Sequence, residues 1–186
     1  LTEGDTTSRR FLPGFAQPGA VRLFDHIWPE LAEAFVGLGS QGIDVIVDAG
    51  RLGRDGLPVA LLEIADAIGF VLQSSLKSLA ASRLYLPLLA EQVSTLPADR
   101  PLGLMLVGPD RPYSVREITA QFGIGCWARI PWDPKPAGVL SHGLTPPRRF
   151  NNSQLLGSYR VVALHLTQRL ERARALRREL LQGGAP

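Results

Sequence analysis

Asp48 closes an apolar run, "IDVIVD" (43–48), and glycines follow at Gly50 and Gly53. A carboxylate at the end of a buried strand is well placed to hold Mg²⁺ through coordinated water, because hard cations take oxygen ligands and keep part of their hydration shell. Glycines just beyond it would let the backbone approach a γ-phosphate. The same residues also describe a strand that ends in a solvated Asp-Gly turn, and this stretch by itself leaves both readings open. Two more apolar runs end near an aspartate: "LGLMLVG" (102–108) before Asp110, and "GCWARI" (125–130) before Pro131, Trp132 and Asp133.

The other reactive residue types carry less. His26, His142 and His165 are scattered, with no partner at metal-ligand spacing. The single cysteine, Cys126, lies inside an apolar run and reads as a small core residue, and one cysteine excludes an internal disulfide. Ser74 and Ser75 lack the G-x-S-x-G pattern of a hydrolase elbow. Nothing fits the phosphate-binding loop G-x-x-x-x-G-K-[ST], because Lys77 and Lys135 follow no glycine-rich turn. Phosphoryl transfer then lacks its main positioning device, and this chain alone is expected not to hydrolyse ATP.

These residues need a scaffold. At 186 residues, with 45% hydrophobic and 20% charged side chains, the chain is long enough to bury a core without disulfides or metals. No run of eighteen apolar residues occurs, and the first ten residues show no charged-then-apolar leader pattern. Apolar runs at 10–14, 43–48, 68–73, 102–108 and 125–130 read as strands. The middle three are nearly continuous in apolar residues, as expected of strands buried on both faces. Helical periodicity fills residues 19–39, 57–67, 75–93 (with Pro87 inside) and 153–182. Residues 114–123 begin with a Ser114/Glu117 capping box and stop at Gly123.

Strand and helix alternate, which predicts an α/β fold with a doubly wound, mostly parallel sheet flanked by helices. Ligands in such sheets bind beyond the carboxyl ends of the strands. The positions to inspect are therefore Pro13–Gly14, Asp48–Gly53, Gln73–Ser75, Gly108–Asp110 and Pro131–Asp133.

In their order, "IDVIVDAGRLG", "IADAIGFVLQSSLKSLAASRLYLPLL" and "LGLMLVGPDRPYSVREITAQFGIGCWARIPWDPKPAGVLSHG" resemble the second half of a MinD/ParA-type P-loop ATPase. "RFLPGF" resembles that family's strand before the Walker B helix, and the likeness spans most of residues 10–168. It implies a P-loop NTPase-like sheet and a cytoplasmic bacterial protein that binds ATP and Mg²⁺ and switches by ATP-dependent homodimerisation. Such proteins act as spatial organisers, on septa, chromosomes or pilus and secretion machinery. By position, Asp48 would be the Walker B carboxylate holding Mg²⁺ indirectly, and Gly50 to Gly53 the switch II backbone. Pro131, Trp132 and Asp133 would line the adenine pocket. Gly108 and Pro109 stand where many relatives carry an asparagine, so base recognition would fall to backbone and packing. The family's P-loop strand has no counterpart here. The expectation is that it lies upstream of Leu1, in which case the full product would be an ATPase. A non-catalytic scaffold of the same fold is the alternative.

The arginines gather late. Arg160, Arg169, Arg172, Arg174, Arg177 and Arg178 crowd the last helix. Its apolar stripe runs through Leu155, Tyr159, Val162, Leu166 and Leu170, then thins to Ala173, Leu176 and Leu180. Residues 1–168 are read as the α/β domain and 169–186 as a basic amphipathic end. That end suits an anionic membrane surface or a partner helix, with DNA as a further reading and a solvated helix end as the plain one.

Overall fold

The computed structural model describes residues 11–14, 26–53 and 56–183. The chain divides into two compact units, Leu1–Val45 and Ile46–Pro186. In the first, helix α1 spans Trp28–Ser40, with a proline in its first turn and only Ala32 fully buried. Proline is tolerated there because its missing N–H would have no helical partner anyway. Residues 19–25 of the expected longer helix lie outside the described residues, as does Arg10 of the 10–14 run. Phe11 to Gly14 form no strand and are exposed.

The second unit is an α/β layer structure. Its order is α2 (Val59–Ile64), β1 (Ile68–Gln73), α3 (Leu76–Ser94), β2 (Leu102–Val107), α4 (Val115–Phe122), β3 (Cys126–Ile130), α5 (Pro134–His142), a 3₁₀ turn (Phe150–Asn152) and α6 (Gln154–Gly183). The three strands pair in parallel in the order β1-β2-β3. Each strand is followed by a helix, as parallel neighbours require.

One face of the sheet supplies Ile68, Leu72, Leu104 and Leu106 to a core that also takes Leu62 of α2, Leu86, Leu89 and Val93 of α3, and Ile118 of α4. Leu104 and Leu106 have no exposed surface, as the continuous apolar run of β2 predicts. The loop before α2 is tied to α3 by a side-chain amide: Gln92 Nε2 donates to the Leu57 carbonyl (2.6 Å) and Gln92 Oε1 accepts from the Leu57 N–H (3.2 Å). On the other face, α6 lies against β3, and the Arg169 guanidinium sits 4.9 Å from the centre of the Trp127 ring. Trp127 is the extra residue at a register shift, since Leu104 pairs with Cys126 and Met105 with Ala128.

The caps of α4 follow the sequence. Ser114 Oγ accepts from the Glu117 N–H, Glu117 accepts from the Ser114 N–H at 2.8 Å, and Gly123 takes the left-handed conformation (φ 66°). Hydrogen bonds from the Ser114 side chain and backbone hold the Glu117 carboxyl below its usual range. A depressed carboxylate stabilises above its unfolded pKa and loses that effect as pH falls through the folded value.

Three expectations are corrected. Residues 43–48 are not a buried strand: no strand is assigned there, and residues 41–50 are all exposed, Ile46 at 95%. A strand needs a partner as well as an apolar pattern, and among the described residues nothing pairs with the outer edge of β1. Nor is β1 buried on both faces. Val71 is 60% exposed, whereas Ile68 and Leu72 on the opposite face are buried. The stretch after Trp132, where the resemblance implies a loop around the base, contains α5. Pro134 sits in its first turn, where proline favours a helix start, and Gly143 ends it with φ 63°.

Candidate functional site

The carboxyl ends of β1, β2 and β3 meet at a cleft of 210 Å³. Gln73, Ser74 and Ser75 reach it from the β1–α3 junction, Val107, Gly108 and Arg111 from the β2–α4 turn, and Trp132 from the β3–α5 turn. Parallel pairing in the order of the sequence brings three separate strand ends to one place, which is where open α/β sheets hold ligands. A larger open depression of 480 Å³ lies between α3 and α4, bordered by Arg83, Pro87 and Phe122 among others. It lies away from the strand ends.

Ser74 organises the cleft. It is 2% exposed, and its N–H donates to the Val107 carbonyl at 3.2 Å. Its hydroxyl oxygen lies against the Gly108 carbonyl, is 3.0 Å from the Arg111 carbonyl, and accepts from the Arg111 N–H at 3.3 Å. One buried hydroxyl therefore latches both ends of the turn after β2 to the end of β1. Within that turn Asp110 adopts φ 64°, a conformation that aspartate tolerates better than most residues, and its N–H donates to the Tyr113 carbonyl at 3.0 Å. Next to it, the Ser75 hydroxyl caps α3 by accepting from the Ser78 N–H, and Ser78 Oγ accepts from the Gln73 N–H at 3.0 Å.

Gly108 and Trp132 adjoin. The Gly108 N–H donates to the Ile130 carbonyl at 2.8 Å, and a Cβ at Gly108 would lie 3.4 Å from the Trp132 Cβ. Its φ of 64° makes any side chain there strained as well. Trp132 is 50% exposed, which leaves indole surface for contact with a flat ligand. Pro131 and Asp133 flank it and do not line the cleft. Asp133 precedes α5 without a side-chain capping bond.

Asp48, Gly50 and Gly53 do not line the cleft either. Asp48 Oδ1 accepts from the Gly50 N–H at 2.9 Å, and Gly50 has φ 68°, an Asx turn in an exposed segment. This is the geometry of the solvated-turn reading. Among the described residues no three histidine, cysteine or acidic side chains are grouped to hold a metal ion. Cys126 is half-buried and burial pushes its thiol up, which opposes a role as nucleophile.

Residue types and strand ends pointed to Gly108 and Trp132. Arg111 was missed, because no motif marks an arginine that folding brings to a cleft through a turn. Arg172 is exposed, and the side chains of Arg174, Arg177 and Arg178 lie outside the described residues.

Ser74→Ala is expected to cost about 1 kcal/mol, the low end for an unmade buried hydrogen bond, since cleft water can replace the lost proton. The amide of Arg111 should then exchange its hydrogen faster than in the parent. Unchanged exchange would mean that the turn holds without the latch.

No family model, curated protein or solved structure matches the chain. The fold and cleft define an α/β protein with a three-stranded parallel sheet flanked by helices. Among the described residues no helix is long and apolar enough to cross a membrane.

Proposed function

We propose that this chain is the nucleotide-engaging part of a MinD/ParA-like P-loop ATPase, a bacterial spatial organiser that switches by ATP-dependent homodimerisation. The observation that carries the reading is the cleft at three consecutive strand ends, with Gly108 and the exposed Trp132 at positions that resemble the family's base loop. Nucleotide base would stack on Trp132, with the Gly108 backbone close beneath it. Asp48 would hold Mg²⁺ through water in a nucleotide-bound state of the whole protein.

A second reading, a scaffold of the same fold without turnover, has its own support. The Asp48 carboxylate is occupied by the Gly50 N–H, and the 186 residues contain no phosphate-binding loop. The two readings separate on nucleotide binding. Under the first, ATP·Mg²⁺ binds the purified chain measurably and is not hydrolysed, and Trp132→Leu removes the binding. Steady turnover by the chain, abolished by Asp48→Ala, would refute the expectation of no hydrolysis. Asp48→Ala itself should leave the melting temperature unchanged, because an exposed side chain leaves no cavity.

The proposed peripheral contact is the basic end of α6, on an anionic membrane or a partner helix. Each basic side chain near an anionic surface contributes about 1 kcal/mol. Deleting residues 171–186 should leave the melt unchanged and weaken co-sedimentation with anionic liposomes. Unfolding on deletion would make the end part of the core, and absence of liposome binding by both forms would transfer the role to a protein partner.

A further inference from the structure

Arg111 borders the same cleft as Trp132, yet it belongs to no motif and stands 21 residues away in sequence. Its main chain is fixed from both sides, the N–H donating to Ser74 Oγ at 3.3 Å and the carbonyl lying 3.0 Å from the same oxygen. The turn around it closes through the Asp110 N–H and the Tyr113 carbonyl. The origin of the side chain is therefore set by a buried hydroxyl.

The neighbouring carboxylate, Asp110, lies 3.5 Å from Arg129, and among the described residues Arg111 has no carboxylate within ion-pair distance. An arginine whose main chain is held by the turn, with no acid partner among the described residues, lines the same cleft as the half-exposed Trp132. The pair selects a ligand that is both flat and anionic. The guanidinium fork matches two oxygens of a phosphate, and the indole matches an aromatic ring.

We propose that Arg111 binds the phosphate nearest the ring of a nucleotide whose base lies on Trp132, so that this cleft takes phosphorylated nucleosides in preference to nucleosides. The proposal rests on the ring platform argued above and adds the group that discriminates. At 210 Å³ the cleft is smaller than the roughly 300–1,000 Å³ of ordinary ligand pockets, so it holds a ring and one anionic group and leaves the rest of a polyphosphate outside. Arg111 then discriminates by charge, and Trp132 by shape.

The experiment uses the full 186-residue chain and three probes, ADP, adenosine and inorganic pyrophosphate, titrated by calorimetry against the parent, Arg111→Gln, Arg111→Lys and Trp132→Leu. Arg111 is exposed, so its variants should melt with the parent. Arg111→Gln should weaken ADP by roughly 10- to 100-fold, the range for a lost charge-assisted contact. Adenosine affinity should not change, and Arg111→Lys should recover part of the loss, since lysine keeps the charge without the fork. Trp132→Leu should weaken ADP and adenosine together.

If ADP binds the parent and Arg111→Gln equally, or if ADP and adenosine weaken by the same factor, the assignment of Arg111 is overturned while the ring platform stands. If pyrophosphate binds and is lost in Arg111→Gln while adenosine fails to bind the parent, the anion contact stands and the ring reading falls. If none of the probes binds the parent, both fall.

Discussion

Gly103→Ala is expected to lower the melting temperature of the chain by about 5–10 °C, at a cost near 3 kcal/mol, the upper end for inserting a methyl group into a filled space. Glycine in a strand interior ordinarily weakens it, so alanine there should stabilise by roughly half a kcal/mol or more if the space were open. The space is not open: a Cβ on Gly103 would fall inside the Trp127 indole. The ring has little room to retreat, because the Arg169 guanidinium of α6 lies over it at 4.9 Å. Movement of the indole would therefore disturb the seat of α6 on β3. The absence of a side chain at Gly103 is what lets an aromatic residue at a register shift fold back over the central strand. Calorimetric melts of Gly103→Ala, Trp127→Leu and the double variant test this. The two substitutions should be strongly non-additive, the double variant recovering much of the alanine's cost, since contacting residues couple by about 0.5–3 kcal/mol. Additive losses would place the indole elsewhere than over Gly103.

What could be read from the sequence follows the range of the interactions involved. Ser114, Glu117 and Gly123 bound α4 through contacts three to five residues apart, and those signals hold. The stretches 68–73 and 102–107 are strands because each finds a parallel partner, and β2, paired along both edges, is the one whose continuous apolar run is the more fully buried. "IDVIVD" carries an equally good local pattern and remains exposed, since pairing depends on a neighbour that no window of six residues reports. The resemblance implies a base-binding loop after Trp132, whereas Pro134 lies in the first turn of a helix, where proline costs no hydrogen bond. Trp132 was legible as a rim residue from its place just after a strand. Arg111 and the Ser74 latch were not, because their juxtaposition is a product of the fold, linking a side chain to the main chain of a residue 37 positions away.

Leu106→Ala should destabilise the chain by about 2–5 kcal/mol, enough to rival the whole stability of a small domain, whereas Val71→Ala should cost less than about 1 kcal/mol. Both residues are apolar, both lie in paired strands, and they differ in what covers them. Leu106 has no exposed surface, lies in the central strand and belongs to the cluster shared by the sheet, α2, α3 and α4, so truncation leaves a cavity that its neighbours on every side cannot fill. Val71 is on the outer strand, 60% exposed, on the face opposite Ile68 and Leu72, and loses mainly its β-branched preference for a pleated surface. Denaturant melts of the two variants measure how far the helix layer on that second face extends: α6 contacts β3, and the prediction is that no comparable cover reaches Val71 in solution. A Val71→Ala loss equal to that of Leu106→Ala would mean that the outer strand is packed on both faces after all, by something that closes over β1. A small loss leaves an apolar side chain beside a strand edge with no partner among the described residues. Proteins usually protect such edges with charge, proline or a covering element, and β1, "IGFVLQ", carries neither charge nor proline. Edge pairing with another polypeptide should then appear as concentration-dependent association of the parent chain, and Val71→Lys, which puts a charge on that strand, should abolish it without lowering the melting temperature.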